Sequence, residues 1–275
     1  MTVFLLLLLL GLLVGCFGTM VGAGGGFILV PILLLLYPDK SPEVITSISL
    51  AVVFLNASSG SVAYAFKKRI DYKSAWLFCI TTLPGSVLGA LSTSYIPRDT
   101  FNLIFGTILS ILAITLIIKP TKNLSKHTDK EKKSFWWMAR YLIDIEGVRH
   151  IYRYNLLLGI ILSFFVGFAS SLLGIGGGII HVPAMVNLLN FPIHIATATS
   201  HFVLSLMGLS GTIVHYLKGD LHEGLFEILY LGIGVIAGAQ VGARLSTKIK
   251  GKVIIQCLAI ALLIVAARIL WSTLF

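Results

Sequence analysis

Eight apolar runs, each long enough to cross a lipid bilayer, follow one another through almost the whole of this 275-residue chain. They cover Val3 to Tyr37, Val44 to Phe66, Ser74 to Tyr95, Phe101 to Ile118, Asn155 to Asn190, Ile193 to Leu217, Leu225 to Ala243 and Val253 to Phe275. A helix needs about 20 apolar residues to span the hydrocarbon layer, and lipid offers no partner to an unpaired backbone group. Only helices or closed barrels qualify, and these runs lack the alternation of a barrel strand. With 57% hydrophobic and 12% charged residues, the chain carries more apolar material than a soluble core can bury. The expected class is an all-α polytopic protein of the cell membrane.

The opening MTVFLLLLLLGLLVGC is similar to a signal peptide but lacks a basic leading segment and a small-x-small cleavage site, so it is expected to be retained. The net charge of +10 sits in loops beside apolar runs. Positive-inside bias explains that placement, and no nucleic-acid partner is expected. Cys16, Cys79 and Cys257 are scattered within spans, so neither a disulfide framework nor a metal site is indicated, and no cofactor motif is present.

The chain also repeats itself. GAGGGFILVP from Gly22 matches GIGGGIIHVP from Gly174, an offset of 174 − 22 = 152 residues. Downstream, Ser49-Leu50-Ala51 lies opposite Ser200-His201-Phe202, Gly60 opposite Gly211, and PGSVLGALS from Pro84 opposite AGAQVGARLS from Ala237. Self-similarity of this kind marks a tandem duplication. The reading is a first repeat over 1–118, a linker over 119–153 and a second repeat over 154–275, each repeat being one glycine-broken segment followed by three ordinary spans.

Loop charges orient the repeats. Lys67 to Lys73 and the linker are basic and therefore expected in the cytoplasm, as is Arg244 to Lys252, whereas Lys218 to Glu223 is slightly acidic. A single crossing by Asn155 to Asn190 would put Arg244 to Lys252 outside. If each glycine-broken segment enters and returns as a hairpin, every basic loop is cytoplasmic, both termini are external, and the two repeats are inverted. Inverted repeats with broken helices, meeting at a midplane site, are a common architecture of secondary transporters.

On this reading the glycines end one arm and start another, with Gly26 and Gly178 opening short helices inside the membrane. The first amides of a helix have no intrahelical partner and carry the positive end of its dipole, so glycine termini can approach an oxyanion closely. Gly24, Gly25, Gly26, Gly176, Gly177 and Gly178 are the expected anion ligands. The competing reading is plain packing by small residues; duplication at matched positions favours the site.

The paired GxGGGxxxVP segments, the TSISLA and TATSHF stretches and the PGSVLGA and AGAQVGARLS repeats resemble the TauE/SafE (TSUP) family of sulfite exporters and related anion permeases, over nearly the whole chain except the linker. The resemblance implies secondary transport of a small sulfur-containing anion, such as sulfite, thiosulfate or an organosulfonate.

The second span of each half carries a polar stripe: Thr46, Ser49, Asn56 and Ser59 in one, Thr197, Ser200, His201 and Gly211 in the other. Repeat-matched Ser49 and Ser200 are the preferred further ligands, against interhelical hydrogen bonding as the alternative. His181 and His201 are candidate donors or proton relays, against a structural role; apolar residues hold their places in the first half. Arg244 is expected to cap a helix end and Arg268 to snorkel, Glu227 to be solvated, Cys16 to be core, and Gly85, Gly89, Gly234, Gly238 and Gly242 to be packing faces. The linker segment FWWMARYLIDIEGVRHIYRY is similar to an interfacial amphipathic helix on an anionic leaflet. The expected function is alternating-access transport of the anion, with a coupling proton or sodium ion that no acidic midplane residue marks. An anion channel is the alternative. An intramembrane enzyme is disfavoured, since paired membrane aspartates and an HExxH motif are lacking.

Overall fold

The glycine runs break the helices where the sequence places the breaks. In the computed structural model, which describes residues 2–118, 136–246 and ten helical positions between 256 and 271, α1 (Thr2–Val21) stops before Gly22 and α2 (Gly26–Leu36) restarts at Gly26. Gly22, Gly24 and Gly25 take φ of +83°, +76° and +83°, a region costly for any residue with a Cβ. In the second half α6 (Leu156–Leu173) and α7 (Gly178–Asn187) flank an equivalent break, with Gly174, Gly176 and Gly177 at φ of +68°, +76° and +57°.

The remaining helices are α3 (Pro42–Phe66), α4 (Tyr72–Ser92), α5 (Arg98–Ile118), α8 (Ile193–Lys218) and α9 (Leu225–Leu245). Six of the described helices are long and apolar enough to cross a membrane. Their starts are written in side chains: Ser41, Asp71 and Asn155 cap α3, α4 and α6 by accepting from Val44, Ser74 and Leu158 amides. Cys257 and Arg268 lie outside the described residues.

Packing follows the sequence repeat. α3 and α8 form the buried central pair, with α9 against α3 and α4 against α8. Gly85 and Gly89 of α4 sit on the backbone of Phe164 and Phe168 in α6, while Gly238 and Gly242 of α9 sit on Leu12 and Cys16 in α1. The partners differ by 164 − 12 = 152 and 168 − 16 = 152 residues, so the same contact is made twice. In each pair the contacts advance together along both helices: α4 runs parallel to α6, and α9 to α1. The predicted small-residue ridges are thus backbone-to-backbone seams.

Two contacts fix where the short arms lead. Phe191, between α7 and α8, packs on Tyr152 and Tyr154 just ahead of α6, with ring centroids 4.5 and 5.0 Å away. Lys40, between α2 and α3, pairs at 3.0 Å with Glu227 at the start of α9, the helix parallel to α1. Glu227 is therefore buried and ion-paired, a correction to its expected solvation.

The linker departs from the expected helix. Trp137–Ile143 and Arg149–Asn155 form an antiparallel hairpin, β1 and β2, so the described chain is mostly helical rather than all-α. The cause is visible in the residues: β-branched and aromatic side chains alternate between two faces, and the Asp144 carboxylate accepts from the amides of Glu146 and Val148 to close the turn. The inner face docks on the α3–α4 loop. There the Arg140 Nε and the Tyr152 hydroxyl donate to Asp71 Oδ2 at 2.8 and 2.7 Å, and the Ser74 hydroxyl donates to the same oxygen at 2.6 Å. Burial works to raise the Asp71 pKa, but these donors outweigh it and hold the carboxyl below its usual range.

Candidate functional site

The two glycine breaks meet at the centre of the molecule. A Cβ built on Gly26 would stand 2.6 Å from the Gly174 carbonyl oxygen, and one on Gly178 would overlap the Gly22 carbonyl. Only bare backbone allows this approach, and it places the first residues of α2 and α7 against the opposite break. The positive ends of two helix dipoles therefore converge, an arrangement relieved by negative charge between them.

Local structure determines which amides remain for a ligand. The helical ladder of α2 begins with Ile28 and Leu29 donating to Gly25, so the Gly26 and Phe27 amides precede it. In α7 the ladder begins with Ile180 and His181 donating to Gly177, but the Gly178 amide already donates to Gly176 at 2.6 Å. The two termini are alike in sequence and unlike in their free donors.

The repeat-matched residues around them are arranged in duplicate. Thr46 backs Gly174 and Thr197 backs Gly22, while Val53 and Leu204 cover Gly24 and Gly176 with an apolar wall. Ser49 and Ser200, however, behave differently. The Ser49 hydroxyl donates to the Gly174 carbonyl at 2.6 Å and so belongs to the scaffold. Ser200 Oγ is fully buried and has no partner among the described residues, and the same holds for Thr46 Oγ1. A buried hydroxyl left without a partner costs free energy, which makes these two the side chains readiest to receive a ligand.

His201 joins the break through a chain of polar atoms. Its Nε2 lies 3.3 Å from the Thr19 hydroxyl, which donates to Asn56 Oδ1 at 2.9 Å. The Asn56 amide group in turn donates to the Gly24 carbonyl at 3.0 Å, and the Tyr64 hydroxyl holds the Thr19 carbonyl at 2.8 Å. The imidazole occupies the notch left by Gly60, and Leu50 occupies the matching notch at Gly211. His181 is placed elsewhere, with Ser163 Oγ at 3.4 Å and the Phe78 ring at 5.7 Å, on the side of the bundle beneath the hairpin. Thr19 and Tyr64 escape the sequence reading because neither belongs to the stripe that the repeat exposes; Thr19 is matched by another hydroxyl, Ser171, which is the signal that could have found it.

No group of three or more histidine, cysteine or acidic residues suited to a metal occurs among the described residues. The breaks are thus surrounded by backbone groups, hydroxyls, the Asn56 amide and the His201 imidazole.

The family described as Sulfite exporter TauE/SafE matches residues 7–269. A protein of Bacillus subtilis described as "Probable membrane transporter protein YunE" is 32% identical over 99% of both chains. A counterpart from Methanocaldococcus jannaschii, also described as a probable membrane transporter protein, is 28% identical over 90% of this chain and 88% of its own. One from Xylella fastidiosa is 23% identical over 96% and 93%. No solved structure matches the chain.

Proposed function

The chain belongs to the TauE/SafE sulfite exporter family and is a multi-pass membrane transporter, and from that premise we propose that it is a secondary transporter moving a small sulfur oxyanion or organosulfonate between two inverted repeats by alternating access. The family and its relatives are described as exporters and transporters. The observation that carries the proposal is the close approach of Gly26 to Gly174 and of Gly178 to Gly22 across the two breaks, with Thr46, whose buried hydroxyl has no partner among the described residues, beside Gly174.

Inversion is supported by the ends of the helices. With α1 parallel to α9, α6 parallel to α4, and each short arm returning to the side where its long arm began, α1 and α6 enter from opposite faces. The face at the end of α3 carries Lys67, Lys68, Arg69 and Lys73, whereas the opposite face mixes Lys40, Arg98 and Lys218 with Asp39, Glu43, Asp220 and Glu223, which supports a cytoplasmic position for the first. Because the breaks touch backbone to backbone, an anion between them requires the halves to part, as rocking of one repeat against the other would allow. A proton or sodium ion supplies the coupling in this reading, with the His201–Thr19–Asn56 chain as the polar route nearest the break.

The test is flux in proteoliposomes with a panel of sulfite, thiosulfate, sulfoacetate and carboxylates. Uphill uptake of one sulfur anion under an imposed pH or sodium gradient supports the proposal. Movement only down the anion's own gradient would reduce the protein to a channel, and equal handling of carboxylates would remove the sulfur-anion assignment.

A further inference from the structure

His201 lies against the first break with a ring whose hydrogen can be placed from its neighbours. The Asn56 amide group donates to the Gly24 carbonyl at 3.0 Å, which turns Asn56 Oδ1 toward Thr19. An amide oxygen only accepts, so the Thr19 hydroxyl donates to it, at 2.9 Å. With its one hydrogen so used, Thr19 Oγ1 can only accept from the imidazole, and the ring hydrogen sits on Nε2, 3.3 Å away. Nδ1 is left as a bare acceptor: it is buried, and nothing among the described residues donates to it. His181, also buried, differs, because its neighbour Ser163 can donate or accept and so does not fix the tautomer.

The surroundings of the His201 ring have room for a proton and no donor. The Gly22 and Thr197 carbonyls are the backbone groups that act on the ring, and both are acceptors. Tyr64 on α3 is the titratable side chain in contact, edge-on at 5.6 Å, and its hydroxyl already donates to the Thr19 carbonyl. Cys16, about one turn before Thr19 on α1, backs onto Gly242 of α9. His194 and His215 are about two and four turns away along α8. No carboxylate pairs with the ring among the described residues. A neutral ring in this setting satisfies one nitrogen, whereas an imidazolium can satisfy both. Gly22 also ties the ring to the anion site, since a Cβ on Gly178 would overlap the Gly22 oxygen.

The geometry points to Nδ1 of His201 as the coupling site, which takes up a proton as the anion enters between the breaks, so that the two cross together in the same direction. The assignment deepens the transport reading above and rests on it. The proton adds to the Nδ1 lone pair on one side of the membrane and leaves from the same atom on the other, with no other bond made or broken. Buried charge supplies the coupling. The empty site is neutral, and a site holding one proton and one monoanion is neutral again. Either ion alone is an uncompensated charge inside the membrane, which is costly. The half-loaded forms are therefore held back from reorienting, and each ion strengthens binding of the other.

The first measurement follows the ring itself. The full chain, carrying nitrogen-15-labelled histidine, is placed in nanodiscs, and the His201 signals are assigned by their loss in His201→Gln. At about pH 8, above the ordinary imidazole range, the expected form has its hydrogen on Nε2 and a bare Nδ1; a neutral ring with the hydrogen on Nδ1 overturns the assignment. Saturating methanesulfonate, a monoanion that stays ionised and brings no proton of its own, is then expected to place a second hydrogen on Nδ1, which a purely structural ring would not show.

The second measurement uses proteoliposomes with a pH-sensitive dye inside. Expected is entry of about one proton per methanesulfonate, because the loaded site is neutral, with accumulation under an inward proton gradient and little response to membrane voltage. His201→Gln keeps a donor for Thr19 but takes no charge, so accumulation should fall about tenfold or more, the remaining uptake carrying no proton and responding to voltage. Methanesulfonate entry without proton entry in the parent overturns the proposal, whether or not the variant folds. So does proton-coupled accumulation that survives in folded His201→Gln, and so does accumulation that follows a sodium gradient alone. If methanesulfonate enters no vesicle, the organosulfonate reading falls, and the tautomer of the ring decides the assignment of His201.

Discussion

The Ser49 hydroxyl donates to the Gly174 carbonyl oxygen at 2.6 Å, tying a helix of the first half to the break of the second, while its repeat partner Ser200 is equally buried and donates to nothing described. One duplication has therefore yielded a strut and an open donor. Ser49→Ala leaves a buried carbonyl unpaired and is expected to cost about 1–3 kcal/mol, read as a lower unfolding midpoint in detergent. Ser200→Ala is expected to leave that midpoint within about 0.5 kcal/mol of the parent and to weaken transport by about tenfold, as loss of a hydrogen bond to an anion does. The reverse pattern, with Ser200 structural and Ser49 functional, would defeat the assignment.

Gly26 and Gly178 are expected to tolerate no side chain, whereas Gly219 should. A Cβ at Gly178 meets the Gly22 carbonyl and the Ala23 backbone, which cannot yield as a flexible side chain does. Gly178→Ala is expected to cost about 3 kcal/mol or more, and Gly26→Leu together with Gly178→Leu to abolish transport. Gly219 has a positive φ, +88°, but nothing lies within 4 Å of its Cβ position, so Gly219→Ala carries only the conformational cost of about 1–2 kcal/mol. Thermal unfolding of the three variants, with transport measured on each folded one, checks the contrast; full transport by the double leucine variant would end the site proposal.

The legible part of this molecule is what repetition writes twice. The breaks at Gly22 and Gly174, the helices opening at Gly26 and Gly178, and the seams at Gly85 and Gly238 could all be read because each has a partner about 152 residues away. What departs from symmetry was hidden. Nothing in the sequence separates Ser49 from Ser200, because the difference lies in whether each hydroxyl reaches a carbonyl across the interface. The hairpin was missed for another reason: its alternating pattern, broken by Asp144 and Gly147, reads on composition alone as an amphipathic helix, and its partner, Asp71, sits in a distant loop.

Gly60 and His201 form a coupled pair. The Cβ of Gly60→Ala would stand 2.5 Å from the imidazole Cδ2 and displace the ring from Thr19. The single variant is expected to lose about 1–3 kcal/mol. Adding His201→Leu, the residue type found at the matching notch, should recover much of that loss, giving a coupling energy of about 1–2 kcal/mol in a double-mutant cycle. Additive losses would show that the notch and the ring are independent. If the pair also serves the coupling ion, His201→Leu will in addition flatten the dependence of uptake on the imposed pH gradient.

Asp71 sets the acid limit of the hairpin's attachment. Its carboxylate is held below the usual range by Arg140, Ser74 and Tyr152 in spite of burial, so the folded state binds its proton more weakly than the unfolded chain does. The stability this supplies is fully present above the unfolded carboxyl pKa of about 4 and is lost as the pH falls through the lower folded value. Unfolding midpoints measured from pH 6 downward should therefore hold until about pH 4 and then decline. Asp71→Asn removes that decline but leaves Arg140 without its carboxylate, at a cost of about 3–5 kcal/mol near neutral pH. Because Tyr152 donates to the same oxygen, Tyr152→Phe should keep the Arg140 pair, lose about 1–3 kcal/mol, and make the acid decline smaller and complete at a higher pH, its onset staying where it is in the parent. An acid profile identical in the parent and Asp71→Asn would show that other carboxylates, not this one, set the limit.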